Sequence, residues 1–382
     1  MAIEIAKKMA NSSMNLEEIH LSSSKRNMIL GGGLVGLLAV VLVHYGNPAN
    51  MGFCIACFIR DTAGALGLHR AGVVQYIRPE LIGMALGAWL ISLAKGDFKA
   101  RGGSSPLTRF VLGFFVMIGA LVFLGCPLRM VLRLAGGDLT AILGLVGFAS
   151  GIGLGILFLN KGFSLRKTYS LNKAEGFLYP AMQVAFFILL IAAPAFIFFS
   201  ESGPGSMHAP VALALVAGLI VGVVAQRTRL CMVGGIRDLI MFRDTHLISG
   251  FLSILVIALI GNLVTGRFTL GFEGQPIAHN DGLWNFLGMT LAGLGSVLLG
   301  GCPLRQMILS AEGNIDSVVT FLGLLVGAAF AHNLGLASSG AGPTANGKVA
   351  VLIGLAVVLV VGFVNMNTST EVSMKGDVKL GA

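Results

Sequence analysis

Charge is scarce in this chain. Of 382 residues only 11% are Asp, Glu, Lys or Arg, against 55% hydrophobic, and the mean hydropathy is +0.87. Soluble domains carry roughly 25% charged residues, and a water-soluble chain this apolar could not cover its own surface with polar groups. Cysteine is also sparse: five, an odd number, all in or beside apolar segments, which argues against a secreted disulfide framework. No histidine pair stands at ligand spacing near those cysteines, so neither a zinc site nor any other cofactor is expected. No Gly-x-x-x-x-Gly-Lys-Ser/Thr loop is present, which argues against direct ATP drive. The first 26 residues lack an apolar core and read as a tail, not a signal peptide. A net charge of +9 raises nucleic acid as a partner, but the Lys and Arg fall between apolar runs instead of forming one patch.

What remains is apolar sequence and glycine. Runs of about 18 or more apolar residues read as membrane spans. Such stretches fall near 27–46, 79–94, 107–125, 139–159, 176–200, 209–226, 246–264, 283–301, 316–334 and 349–366. Four segments near 52–68, 126–136, 229–241 and 302–312 are too short or too broken to cross alone, and read as half-membrane or re-entrant helices lining a protected interior. The predicted fold is therefore an all-α polytopic membrane protein of about ten spans plus four short helices. The 54 glycines suit closely packed helices in a bilayer. Loop charges orient the chain. One face collects Lys25, Arg26, Lys95, Lys99, Arg101, Arg109, Lys161, Arg166, Lys167, Lys173, Lys375 and Lys379; the other has Glu201, Glu273 and Asp281 with only Arg267 and Lys348. Both termini are predicted on the cytoplasmic side.

The chain resembles itself. Cys54-Ile-Ala-Cys57-Phe-Ile-Arg60-Asp61 aligns with Cys231-Met-Val-Gly-Gly-Ile-Arg237-Asp238, and Gly125-Cys126-Pro127-Leu128-Arg129 recurs as Gly301-Cys302-Pro303-Leu304-Arg305. Each half reads long–short–long–long–short–long–long. Five long spans per half is odd, so the second half inserts upside down, the inverted-repeat design in which broken helices meet near the midplane. The expected layout is a tail at 1–26, repeats at 27–200 and 201–366, and a tail at 367–382.

Gly-Cys-Pro-Leu-Arg reads as a helix start: proline suits the first helical position, which puts the cysteine at the N-cap. The thiol then faces free N–H groups and the positive helix end, a setting that suits anions. Arg129 and Arg305 share the helical face of their cysteines, and Arg133 extends it in the first half. Any single buried cysteine is more often packing; four of five at repeat-equivalent positions favour function. Cys54-x-x-Cys57 is a weak redox signal. Arg60-Asp61 and Arg237-Asp238 are ionisable groups inside apolar segments, and two readings stand: anion stabilisation, or structural pairs joining Arg60 to Asp238 and Arg237 to Asp61.

These motifs resemble the YeeE/YedE family of bacterial inner-membrane sulfur-compound transporters, over roughly 27–366. Gly301-Cys302 with Glu312-Gly313-Asn314, Leu230-Cys231 with Arg237-Asp238, and their first-half counterparts carry the likeness. The Gly-Cys-Pro-Leu-Arg form is most similar to the subgroup associated with selenium metabolism. The resemblance implies uptake of thiosulfate-like or selenium species without covalent capture, through cysteines that correspond here to Cys54, Cys126 and Cys302, with Cys231 a fourth. A cytoplasmic sulfur- or selenium-carrier protein is a candidate partner. Cys57 and the added Pro-Leu-Arg depart from the plainer family pattern. A membrane thiol or sulfur-transfer enzyme and a non-sulfur anion channel are the alternatives; the first lacks a general-base histidine beside its cysteines.

Overall fold

The computed structural model describes residues 24–366, so most of the tail at 1–26 and all of that at 367–382, with Lys375 and Lys379, lie outside the described residues. Fifteen helices follow in order: α1 Ser24–His44, α2 Ile55–Ala65, α3 Pro79–Lys95, α4 Pro106–Phe123, α5 Pro127–Ala135, α6 Thr140–Asn160, α7 Lys173–Gly176, α8 Leu178–Ala192, α9 Val211–Thr228, α10 Met232–Phe242, α11 His246–Val264, α12 Gly282–Leu298, α13 Pro303–Ala311, α14 Ile315–Asn333 and α15 Ala345–Val364. The only named strands among the described residues are a two-residue pair, β1 Arg101–Gly102 and β2 Tyr169–Ser170. By length and apolarity eight helical segments can cross a bilayer, and α3 and α8 are shorter apolar helices. The protein is an all-α polytopic membrane protein.

Local chemistry explains the boundaries. Pro79, Pro106, Pro127 and Pro303 each open a helix at its first turn, where a missing N–H costs nothing. Asp281, Asn314 and Thr344 cap α12, α14 and α15 by accepting a backbone N–H. Helix α8 stops well short of the expected span 176–200, because Ala193 turns left-handed (φ 41°) and Pro194 follows. The segment beyond it packs as a loop against α2, with the Phe198 amide donating to the Ala65 carbonyl.

Packing exchanges the two parts of the chain. Helix α3 lies along α9 and α1 along α11, while α4 pairs with α14 and α6 with α12. The approach is close because glycine faces backbone: a β-carbon on Gly222 would run into the Met84 carbonyl, and one on Gly32 into that of Gly250. Polar segments gather at two ends. At the first end Lys99 and Arg101 amides donate to Glu312 and Gly313 carbonyls, and Lys25 meets Thr245. At the second, Thr269 donates to Gly136, Ser338 to Leu121 and the Ala209 amide to the Asn47 side chain.

Candidate functional site

All four short helices begin at a cysteine. Cys126 and Cys302 are N-caps with proline next, as expected from Gly-Cys-Pro-Leu-Arg, and Cys54 and Cys231 are N-caps too. The latter two were not foreseen, since no proline marks them. Their sulfurs accept backbone amides one turn on: Cys57 N to Cys54 Sγ at 3.2 Å, Gly234 N to Cys231 Sγ at 3.4 Å. Helices α2 and α5 run to the second end of the bundle, α10 and α13 to the first, so each starts deeper, at its cysteine. All four cysteines are at most 5% exposed.

The halves then differ. Cys231 and Cys302 are free thiols from two separate helices with sulfurs 3.9 Å apart. In the first half Cys54 is joined to Cys57 as a disulfide, and Cys126 is free. Cys57 also receives the Arg129 guanidinium at 3.9 Å.

The paired arginines differ as well. Gly125 and Gly301 leave room for the arginine four residues on to fold back over the turn. Arg129 is fully buried with no acidic partner among the described residues; its donors go to the carbonyls of Asn50, Leu124, Pro276 and Ile277. The strap around 269–277 thus seals α5 at the second end. Arg133 is held beside it by Asp138 at 2.7 Å, the Phe123 carbonyl and Thr140. Arg305 has no such cover. It reaches Glu312 at 3.2 Å and lines a cavity of about 510 Å³ open at the first end, together with Asp97, Lys99, Arg101, Arg227 and Arg229. Burial raises the Glu312 carboxyl above its ordinary range, while Arg305, Arg101 and Arg229 pull it back down.

The cross-axis ion pairs are corrected. Arg60 binds Asp61 (2.6 Å) and Arg237 binds Asp238 (2.8 Å), each its own neighbour. Helices α2 and α10 end at opposite ends of the bundle, and an adjacent guanidinium satisfies each carboxylate locally. Asp61 takes a second arginine, Arg78, at 2.7 Å, and Arg78 continues to the carbonyls of Pro204 and Met207. Sequence reading missed Arg78, which sits in a short connection that gave no motif. It also claimed nothing for His69 and His332, which stack at 4.6 Å. His69 touches the Arg60 carbonyl, and burial lowers its pKa, so its ring is neutral. Among the described residues no group of three or more His, Cys, Asp and Glu is placed to hold a metal ion.

Residues 227–375, which include Cys231, Cys302, Arg305 and Glu312, match the protein family described as Sulphur transport. The thiosulfate transporter TsuA of Escherichia coli (strain K12) is 28% identical over 124 residues, 31% of this chain and 34% of that protein. The chain thus aligns with about a third of the length of this curated relative. The family match covers the helices that bear the second pair of thiols, set in a polytopic helical bundle, and over that part the chain is similar to sulfur transporters.

Proposed function

We propose that the protein imports a small sulfur- or selenium-containing anion, of the thiosulfate type, across a bacterial inner membrane, with the second end outside and the first end, with both termini, in the cytoplasm. The observation that carries this reading is the Cys231–Cys302 thiol pair, held at two helix N-caps one turn from Arg305 and the cavity. A soft chalcogen atom accepts weak S–H hydrogen bonds, and helix N-termini with a nearby guanidinium offset the anion's charge. Cys126 continues the path toward the second end as a free thiol, Cys54 joins it once the Cys54–Cys57 disulfide is reduced, and Arg129 is the first-half counterpart of Arg305. Arg60–Asp61 and Arg237–Asp238 act as structural pairs that fix α2 and α10.

Two inverted repeats, 27–200 and 201–366, account for the exchanged helix pairs and for short helices that end at opposite ends. Lys25, Lys99, Arg101, Arg227 and Arg229 at the first end agree with a cytoplasmic setting, where a sulfur- or selenium-carrier protein would collect the anion.

The test is growth or uptake in a host lacking its own sulfur importers, on thiosulfate and on selenium compounds separately. Cys302→Ala and Cys126→Ala should abolish rescue at wild-type membrane abundance. Full uptake in both variants would remove the cysteine path. The Cys54–Cys57 disulfide favours a second reading, a thiol–disulfide catalyst; Cys57→Ala should then abolish activity, whereas transport needs only Cys54.

A further inference from the structure

The cavity at the first end carries more cation than its own acids can use. Five basic side chains line it, Lys99, Arg101, Arg227, Arg229 and Arg305, against Asp97 and Glu312. Asp97 is taken by Arg227 at 3.2 Å and Glu312 by Arg305 at 3.2 Å. Lys99, Arg101 and Arg229 have no acidic partner among the described residues. The cations come from three separate stretches, 97–101, 226–229 and 305–312, so their convergence belongs to the fold and not to one basic run.

The two ion pairs inside the cavity are also loose. Buried pairs elsewhere close to 2.6–2.8 Å, as at Arg60–Asp61 and Arg133–Asp138. Arg305–Glu312 is a single 3.2 Å contact, with both side chains partly exposed. Glu312 has no first-half counterpart, since Gly136 stands at the equivalent place after α5. There the equivalent guanidinium, Arg129, spends its donors on backbone carbonyls. Glu312 is thus an internal anion added to the one arginine of the pair that faces open space.

We propose that this cavity is a binding vestibule for a small divalent oxyanion of the sulfate or thiosulfate class, held by Arg101, Arg229 and Arg305, with Glu312 occupying Arg305 until the anion displaces it. A divalent anion gains about twice the attraction of a monovalent one from the same cations, which is what separates this class from chloride. The proposal deepens the transport reading by giving the path a waiting site on the first-end side of Cys302, but binding requires no transport step. Focusing by a charged cleft with low-dielectric walls raises local anion concentration by tenfold or more at low ionic strength, and salt screens it.

The experiment is equilibrium binding of radiolabelled sulfate and thiosulfate to the full chain purified in detergent at low ionic strength. Competition with chloride is measured on the same samples. The double variant Arg101→Gln, Arg229→Gln should bind about tenfold or more weakly. Glu312→Gln should bind about threefold or more tightly, because the internal competitor is gone. Arg267→Gln, at the second end, should leave binding unchanged. Equal affinity in wild type and the double variant overturns the proposal, as does chloride competing on a par with sulfate. The opposite directions expected for the two variants separate a lost site from a damaged fold. Sulfate binding with no uptake of any sulfur or selenium source would leave the vestibule standing and remove the transport reading. Cysteine-dependent uptake without divalent-anion binding would do the reverse.

Discussion

Asp61 and Asp238 occupy equivalent places in the two repeated motifs, yet their loss should be felt very differently. Asp61 is fully buried and accepts from two guanidinium groups, Arg60 Nε and Nη2 at 2.8 and 2.6 Å and Arg78 Nε and Nη2 at 2.8 and 2.7 Å. In Asp61→Asn, Arg78 keeps the Pro204 and Met207 carbonyls, but Arg60, whose one salt bridge among the described residues is to Asp61, is left buried without an anion. Leaving a buried cation uncompensated costs about 3–5 kcal/mol. Asp238 has a single partner, Arg237, and the two side chains are 17% and 31% exposed, so water can replace the pair. Asp238→Asn should cost at most about 1 kcal/mol. The gap of about 2–4 kcal/mol corresponds to roughly thirty- to several-hundred-fold in the folded population. Detergent-solubilised variants heated in steps and followed by size-exclusion elution give the ranking, with the midpoint for Asp61→Asn well below both wild type and Asp238→Asn. Equal midpoints, or a larger loss at Asp238, would refute the burial argument.

Three further expectations follow from the same geometry. Gly222→Ala places a methyl against the Met84 carbonyl at the α3–α9 contact and should sharply lower the yield of folded protein, whereas Gly153→Ala meets nothing within 4 Å and should be neutral or mildly stabilising in the same elution assay. The Glu312 carboxyl titrates above its ordinary value of 4.5 because it is buried. Arg305, Lys99, Arg101, Arg227 and Arg229 face it, with Asp97 the other acid. Its raised pKa favours the folded state fully below 4.5, and that contribution is lost as pH rises through the folded value. Over the same interval acidification frees Arg305, so sulfate affinity should rise as pH falls in wild type, and flatten in Glu312→Gln. Loss of uptake in Cys126→Ala and Cys302→Ala, at unchanged membrane abundance, is the corresponding expectation for the thiols.

Much of this was legible before any coordinates. Scarcity of charge and the placement of apolar runs foretold the polytopic helical fold, and every long and short segment became a helix. Proline after cysteine placed Cys126 and Cys302 at N-caps because the physics is local: one residue lacks an N–H and its neighbour must cap. Two kinds of feature escaped. Partners chosen by the path of the backbone could not be read, so the guess that Arg60 would find Asp238 failed once α2 and α10 diverged. Sites assembled from distant loops were invisible as well. Lys99 and Arg101 read as scattered loop charges, and Arg229 as the start of a short helix, until the Lys99 and Arg101 amides docked on the turn after α13 and α9 ended beside them. The contrast between sealed Arg129 and open Arg305 depends on the 269–277 strap, which no motif announces.

The exchanged pairing of helices bears on how the chain is made. Helix α1 leaves the ribosome early, but the surface that covers Gly32 and Gly36 belongs to α11, synthesised most of the chain later. Helix α3 likewise waits for α9. Until α9 and α11 are made these glycine faces have no protein partner, so the final packing of the first half waits on the second. A chain cut in the 201–210 loop should therefore yield two fragments that accumulate together or not at all.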